Sequence, residues 1–139
     1  MKQDTARHLK IAARNLTHNF DLFAQHYQLT GAQMSFIDYL NDHCDTEVLQ
    51  RDLEQEFNIQ RSTATLILQR MEKKSLVKRQ PAKQDARQRA VSLTDQSQAI
   101  VTVVQNYMQQ QQQKLEYNFS TAEIAIFEKI LRYYQQQEN

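Results

Sequence analysis

Apolar residues recur at three- and four-residue steps along most of the chain, the spacing that lines one face of a helix. Leu9, Ala12, Ala13, Leu16, Phe20 and Phe23 mark a first helix over residues 5–27. Thr30 stands where an N-cap belongs, and Met34, Phe36, Ile37, Tyr39 and Leu40 carry a second helix to about Asp42. After a polar connection, DHCDTE, a short helix over 49–57 places Leu49, Leu53 and Phe57 at four-residue steps. Asn58 follows, a residue that tolerates the left-handed turn ending a helix. The next helix, from about Gln60 to Lys74, turns Ala64, Ile67, Leu68 and Met71 inward. The pattern then changes: Leu76–Arg79 and Arg89–Leu93 have strand character on either side of Pro81 and a polar QDARQ, which predicts a hairpin with a longish loop. Thr94 is expected to cap a long helix to about Asn118, carrying Ile100, Val101, Val103, Val104, Tyr107, Met108 and Leu115. Ser120-Thr121-Ala122-Glu123 reads as a capping-box start. It opens a last helix with Ile124, Phe127, Ile130, Leu131 and Tyr134 on one face.

This order predicts a mainly α fold with a small β-hairpin. Residues 30–94 form a winged helix-turn-helix lobe within a single chain of residues 1–139, and 1–29 and 95–139 form a helical region. The outer helices have no partner inside the small lobe. Their apolar faces are too wide to leave in water, so they are expected to pack together and against a second copy. Leu9, Leu16, Phe20, Phe127, Ile130, Leu131 and Tyr134 are the expected dimer contacts.

Composition supports this reading. A 139-residue chain has the length of one ordinary domain. It contains one Gly and one Pro, so turns are few and connections short. Gln109–Gln113 lies inside a segment that keeps its 3.6-residue period, which makes regular helix the expectation there rather than a low-complexity tract. Cys44 is the single cysteine, which rules out an intrachain disulfide and a CxxC metal site. The first residues hold no long apolar run, and no later stretch approaches about 18 apolar residues. A cytoplasmic protein is expected, with no membrane partner.

Charge is where the chain departs from average. Between Gln60 and Thr94, Arg61, Arg70, Lys73, Lys74, Lys78, Arg79, Lys83, Arg87 and Arg89 face only Glu72 and Asp85, a local balance of +7 in a chain of net charge +1. Positive charge concentrated on a helix and its adjoining hairpin is the footprint of a nucleic-acid surface. Arg61, Ser62, Thr65, Leu66, Gln69 and Arg70 take outward positions on the helix, with Thr63 near its start. Arg and Gln side chains match guanine and adenine edges, while Ser and Thr serve bases or phosphates. Lys73 and Lys74 suit phosphate. In the loop, Lys83, Arg87 and Arg89 lie near the tip, where an Arg can enter a narrow A·T-rich minor groove. Asp85, two residues from Arg87, can orient its guanidinium. Taken singly, the helix pair fits the solvated face of a bundle equally well, and the loop fits any exposed basic turn. Their combination favours DNA.

The stretch LEQEFNIQRSTATLILQRMEKKSLVKRQPAKQDARQRAVSLT resembles the MarR family of bacterial transcription regulators. The shared marks are the helix-turn-helix spacing, a wing with D-x-R (Asp85-Ala86-Arg87) and an apolar-x-Leu-Thr strand end (Val91-Ser92-Leu93-Thr94). The helix order before and after also matches. The resemblance implies a homodimer bound to pseudo-palindromic double-stranded DNA, a regulator of the repressor kind, with Arg87 as the minor-groove residue and Asp85 as its support. Ser62, Thr63 and Thr65 match the hydroxyl-rich start of the recognition helix. The chain departs from the family where a Gly is usual, at Asn58 and Ser75, and at Glu54, where a small Ala is usual. Gln60-Arg61 replaces a Ser-Pro-like helix start, and Gln60 is a poor N-cap. Relatives of this kind bind small effectors in an aromatic cleft, for which Phe20, Phe23, Tyr27, Phe36, Tyr39 and Tyr107 are the candidates here. The simpler reading of those rings is core.

Other chemistry finds little support. Cys44 in Asp42-His43-Cys44-Asp45 is either a redox switch or a half-buried small residue at a helix end. His8, His18 and His26 are never three or four residues apart, so no helical metal pair is expected. A phosphate-cradling Gly loop and a nucleophile elbow are both missing, so neither a cofactor nor an enzyme is expected. The competing function is a winged-helix protein-interaction module with an acidic partner.

Overall fold

The computed structural model describes residues 3–137. Its elements run α1 (Thr5–Gln25), α2 (Gly31–Asp42), β1 (Val48–Leu49), α3 (Gln50–Glu56), α4 (Arg61–Lys73), β2 (Val77–Pro81), β3 (Arg89–Leu93), α5 (Gln98–Asn118) and α6 (Thr121–Gln135), with a 3₁₀ turn at Asp95–Ser97. The fold is thus mainly helical with a small antiparallel sheet. Two compact units divide it, Met1–Val101 and Thr102–Asn139. α1 belongs to the first unit together with the winged lobe, and the division falls inside α5.

In the first unit the core gathers Met34, Phe36 and Ile37 from α2, Leu53 from α3, and Ala64, Leu68 and Met71 from α4, all almost fully buried. Val77 and Val91 close it from the sheet. Thr30 opens α2 with a capping box: its hydroxyl accepts from Gln33 N at 3.1 Å and its own N–H donates to Gln33 Oε1 at 3.0 Å. Gly31 is close against α1. Its N–H donates to Asp21 Oδ1 at 2.7 Å, and a Cβ at this position would lie 2.6 Å from the same oxygen. Gly31→Ala should therefore push Asp21 away and cost about 1.5–3 kcal/mol, the range for losing one hydrogen bond to a charged group. Denaturant unfolding measures this; an unchanged midpoint would show that Asp21 moves without loss.

Three helix ends close in the same way. Gln28, Asn58 and Ser75 adopt positive φ, at 56°, 50° and 61°. After each comes an apolar residue whose N–H reaches back into the last helical turn: Leu29 to Ala24 O at 3.1 Å, Ile59 to Glu54 O at 3.0 Å, and Leu76 to Met71 O at 3.0 Å. These are Schellman ends, in which a left-handed residue lets the chain satisfy helix carbonyls that would otherwise be orphaned. The turn between α3 and α4 is built on the second of them. As expected of Gln60, its side chain makes no cap hydrogen bond to α4.

The structure corrects three details. The expected hairpin is a three-stranded sheet in the order β1-β3-β2, because Val48 and Leu49 pair with Val91 and Ala90. Two residues are too few to show a strand period, so β1 was hidden at the end of the polar connection. Pro81, expected in the loop, is the last residue of β2 and pairs with Arg89. Thr94 stands before the 3₁₀ turn without a side-chain cap bond; its hydroxyl donates to Ser75 O instead, fastening the end of β3 to the end of α4.

In the second unit, Gln109–Gln113 is regular α-helix within α5, as the apolar period predicts. Ser120 and Glu123 form the expected capping box at α6: Glu123 N donates to Ser120 Oγ at 3.1 Å, and Ser120 N donates to Glu123 Oε1 at 2.9 Å. The bonds from Ser120 hold the Glu123 carboxyl below its ordinary range. α6 has no buried residue.

Candidate nucleic-acid interface

α4 runs 13 residues between the Schellman turn after α3 and the one at Ser75. Ala64, Leu68 and Met71 bury one stripe, so the opposite stripe faces water. On it Arg61, Ser62, Thr63, Gln69, Arg70 and Lys73 are exposed, as is Leu66, while Thr65 is half-buried. Beside this helix, residues 82–88 form the wing loop. Its neck is closed by Ala82 N donating to Gln88 O at 3.0 Å. Lys83 N donates to both carboxylate oxygens of Glu47 at 3.3 Å, tying the loop to the segment before β1.

Asp85 shapes the loop. Its Oδ1 accepts from Arg87 N and from Arg87 Nε, each at 3.1 Å, and its Oδ2 accepts from Arg87 Nη2 at 3.4 Å. The Arg87 side chain is nonetheless 90% exposed, so it is aimed outward and braced from below. The hydrogen bonds from the Arg87 side chain and backbone, with a smaller contribution from the nearby Arg51 charge, hold the Asp85 carboxyl below the usual carboxylate range. A carboxyl whose folded pKa is lowered contributes its bracing above its ordinary pKa and loses it as pH falls through the lowered value. The wing should therefore be fully braced at neutral pH and loosen only in acid, below the ordinary range of an aspartate carboxyl. Following the Asp85 carboxyl carbon by NMR checks this; a midpoint at or above the ordinary value would show that the pair does not persist in solution.

Between α3, α4 and the wing lies a polar cleft of about 730 Å³. Its walls are Gln50, Arg51 and Glu54 from α3, Arg61 and Thr65 from α4, and Arg79, Arg87, Gln88 and Arg89 from the sheet and wing. Of the residues singled out in the sequence, the cleft gathers Arg61, Thr65, Arg87 and Arg89. Ser62, Thr63, Gln69, Arg70 and Lys73 lie outside it on the exposed stripe of α4, and Lys83 and Asp85 in the wing loop. Lys74 is placed differently: its ammonium donates to Gln28 O, at the Schellman turn ending α1. Arg79, part of the basic run, spends its charge internally, with Nε and Nη2 on Glu72 Oε1 at 3.1 and 2.9 Å. Gln50, Arg51, Glu54 and Gln88 escaped the sequence reading. Arg51 and Glu54 lie on a short helix, α3, whose outward face only the fold defines, and Gln50 meets Arg79 across 29 residues of chain.

The aromatic candidates are divided. Phe36 is buried, its ring 5.2 Å from Phe57, so it is core. Tyr39 stacks on His43 at 4.1 Å and meets Phe57 edge-on at 6.1 Å. Phe20 and Phe23 on α1 and Tyr27 in the turn after it form a run, with centroids 6.4 and 5.5 Å apart. Tyr107 is half-buried on α5, in the second unit. Cys44 is an exposed free thiol. Among the described residues no cluster of three or more His, Cys, Asp or Glu side chains is placed to hold a metal ion, and no helix is long and apolar enough to cross a membrane.

A family model for the MarR family matches residues 27–88. The fold is similar along almost its whole length to the transcription regulator MarR from Oenococcus oeni PSU-1, at 42% identity and a TM-score of 0.80, covering 96% of this chain and 100% of that one. The chain belongs to the MarR family. The MarR-family fold recurs in more distant structures. One is MepR of S. aureus in complex with DNA (19% identity, TM-score 0.85, 96% of this chain and 97% of that one). Another is the transcriptional regulator SlyA (17% identity, TM-score 0.84, 96% and 93%). Among curated protein sequences no match was found. MarR of O. oeni and SlyA are transcription regulators, and this chain shares their fold.

Proposed function

We propose that this protein binds double-stranded DNA sequence-specifically as a homodimer and acts in the cytoplasm as a ligand-responsive repressor. The observation that carries the reading is the arginine-lined cleft joining the recognition helix α4 to the wing. Arg87, exposed and braced by Asp85, is suited to a minor groove, while Thr65 and Gln69 face base edges and Lys73 meets phosphate. Ser62, Thr63, Arg61, Arg70, Lys83 and Arg89 complete the contact. That MepR, of the same fold, has been solved in complex with DNA supports DNA as the partner. Two lobes related by a two-fold axis read half-sites about one helical turn apart. An effector relieves binding only if it favours one spacing of the lobes over another. Phe20, Tyr27, Phe36 and Tyr39 of the first unit, and Tyr107 of the second, are the side chains through which we propose it acts.

The test is binding to a random duplex pool followed by titration with salt. An inverted repeat should be enriched, bound at least about 10³-fold more tightly than unrelated duplex. Affinity should fall steeply with salt, because each neutralised phosphate contributes about 0.9 to the logarithmic slope. Binding that ignores salt and sequence would instead favour a protein partner for the basic face.

A further inference from the structure

One wall of the cleft holds a hydrogen-bond chain whose direction is set by its ends. Arg79 Nη1 donates to Gln50 Oε1 at 3.1 Å. A guanidinium only donates, so the carboxamide oxygen of Gln50 must face it. The amide nitrogen then faces the other way, where Nε2 donates to Thr65 Oγ1 at 2.9 Å and to Glu54 Oε2 at 3.4 Å. An ionised carboxylate only accepts, so both ends demand the same orientation. Turning the amide over would set NH₂ against guanidinium and C=O against carboxylate. Glu72 anchors the far side of Arg79, and Gln50 is 8% exposed, so the chain is braced and largely shielded from water.

The consequence falls on Thr65. Its oxygen accepts from Gln50, and its side chain makes no other hydrogen bond among the described residues. The hydroxyl proton is left to donate outward, and accepting one bond strengthens that donation. The neighbouring Arg61, Arg87 and Arg89 also only donate.

We propose that Gln50 is a positioning residue that makes Thr65 a hydrogen-bond donor toward the base edge, excluding cytosine at one position of each half-site. In the major groove cytosine offers only its N4 donor, whereas guanine and thymine offer acceptors at O6, N7 and O4. This rests on the DNA-binding reading above. Gln50→Glu predicts an inversion. Glutamate at this position still accepts from Arg79 but must also accept from the Thr65 hydroxyl, which consumes its proton and leaves Thr65 only lone pairs. The same position should then turn toward cytosine N4 or adenine N6.

The experiment enriches sites from a random duplex pool with the wild type and with Q50E, Q50L, T65V and T65S, and measures affinity for unrelated duplex in parallel. The wild type and T65S should disfavour cytosine at one position by roughly 5- to 150-fold, the range for one good base contact. T65V and Q50L should relax that position alone, and Q50E should reverse it, with affinity for unrelated duplex changing equally for all sequences. Because Q50E sets a second carboxylate beside Glu54 Oε2, it is read together with the double variant Q50E with Glu54→Gln, and should Q50L fail to fold that double variant decides. Wild-type base preferences in Q50E, or in T65V, would overturn the inference while leaving DNA binding intact. If the wild type enriches no site at all, the DNA reading falls, and the inference falls with it.

Discussion

Replacing Ile130 with aspartate is expected to leave a folded monomer at micromolar concentrations where the wild type is expected to be a dimer. α6 carries Ile126, Phe127, Ile130 and Tyr133 at 59%, 44%, 44% and 61% exposure, with no buried residue anywhere along it. A contiguous exposed apolar face of this kind marks an interaction surface. A two-fold interface counts every substitution twice. Removing a buried aliphatic side chain costs about 1.5–3 kcal/mol, so the pair costs about 3–6 kcal/mol before the penalty for burying a carboxylate. The dimer dissociation constant should rise by roughly 10²- to 10⁴-fold. Ile130 is exposed within its own chain, so stability of the monomer should change by about 0.5 kcal/mol or less. Leu131→Asp tests the same face less cleanly, because Leu131 is half-buried within the chain itself. Sedimentation with circular dichroism measures both effects. A well-folded wild-type monomer would sink the dimer and the two-fold DNA site together.

The second large effect is expected at the wing. Arg87→Ala removes a side chain that hydrogen-bonds Asp85 and is 90% exposed, so the fold should hold. If each wing enters a minor groove, each lost contact costs about 1–3 kcal/mol, and a dimer loses two. Affinity for the specific site should fall by roughly 30-fold to 10⁴-fold. Lys73→Ala should behave differently, weakening all sequences evenly and flattening the salt slope. Arg87→Ala with wild-type affinity at physiological salt would remove the wing from the interface. If Lys73→Ala and Thr65→Ala were silent as well, the whole face would have to be reassigned.

How much was legible in the chain depended on how local the cause was. Helix period is local, so Leu9 to Phe23 and Ile124 to Tyr134 announced their helices, and Met108 with Leu115 outweighed five consecutive glutamines. Caps are local too, and Thr30 and Ser120 were read from four residues each. β1 was not legible, because a two-residue strand has no period and owes its existence to Val91 and Ala90 some forty positions away. The same holds for the cleft. Counting charges found the basic run but credited it with Arg79 and Lys74, whose donors are taken by Glu72 and by Gln28 O. Gln50 carried no signal in the chain: a polar residue opening a short helix becomes informative only when a guanidinium and a hydroxyl meet it from two other elements.

The three left-handed corners at Gln28, Asn58 and Ser75 also bear on how this sequence can evolve. A non-glycine residue in that conformation gives up about 1–2 kcal/mol, least for Asn. Part of that is returned because glycine would leave the unfolded chain more entropy to lose. With its one glycine committed to the close approach at Gly31, the chain holds these corners by the contacts around them: Leu29 and Leu76 buried behind two, and the Ser75 carbonyl held by Thr94. Drift to glycine or asparagine at Ser75 or Gln28 is therefore a route uphill in stability. A lineage that took it would gain room to accept costlier changes on α4, where a new operator has to be learned.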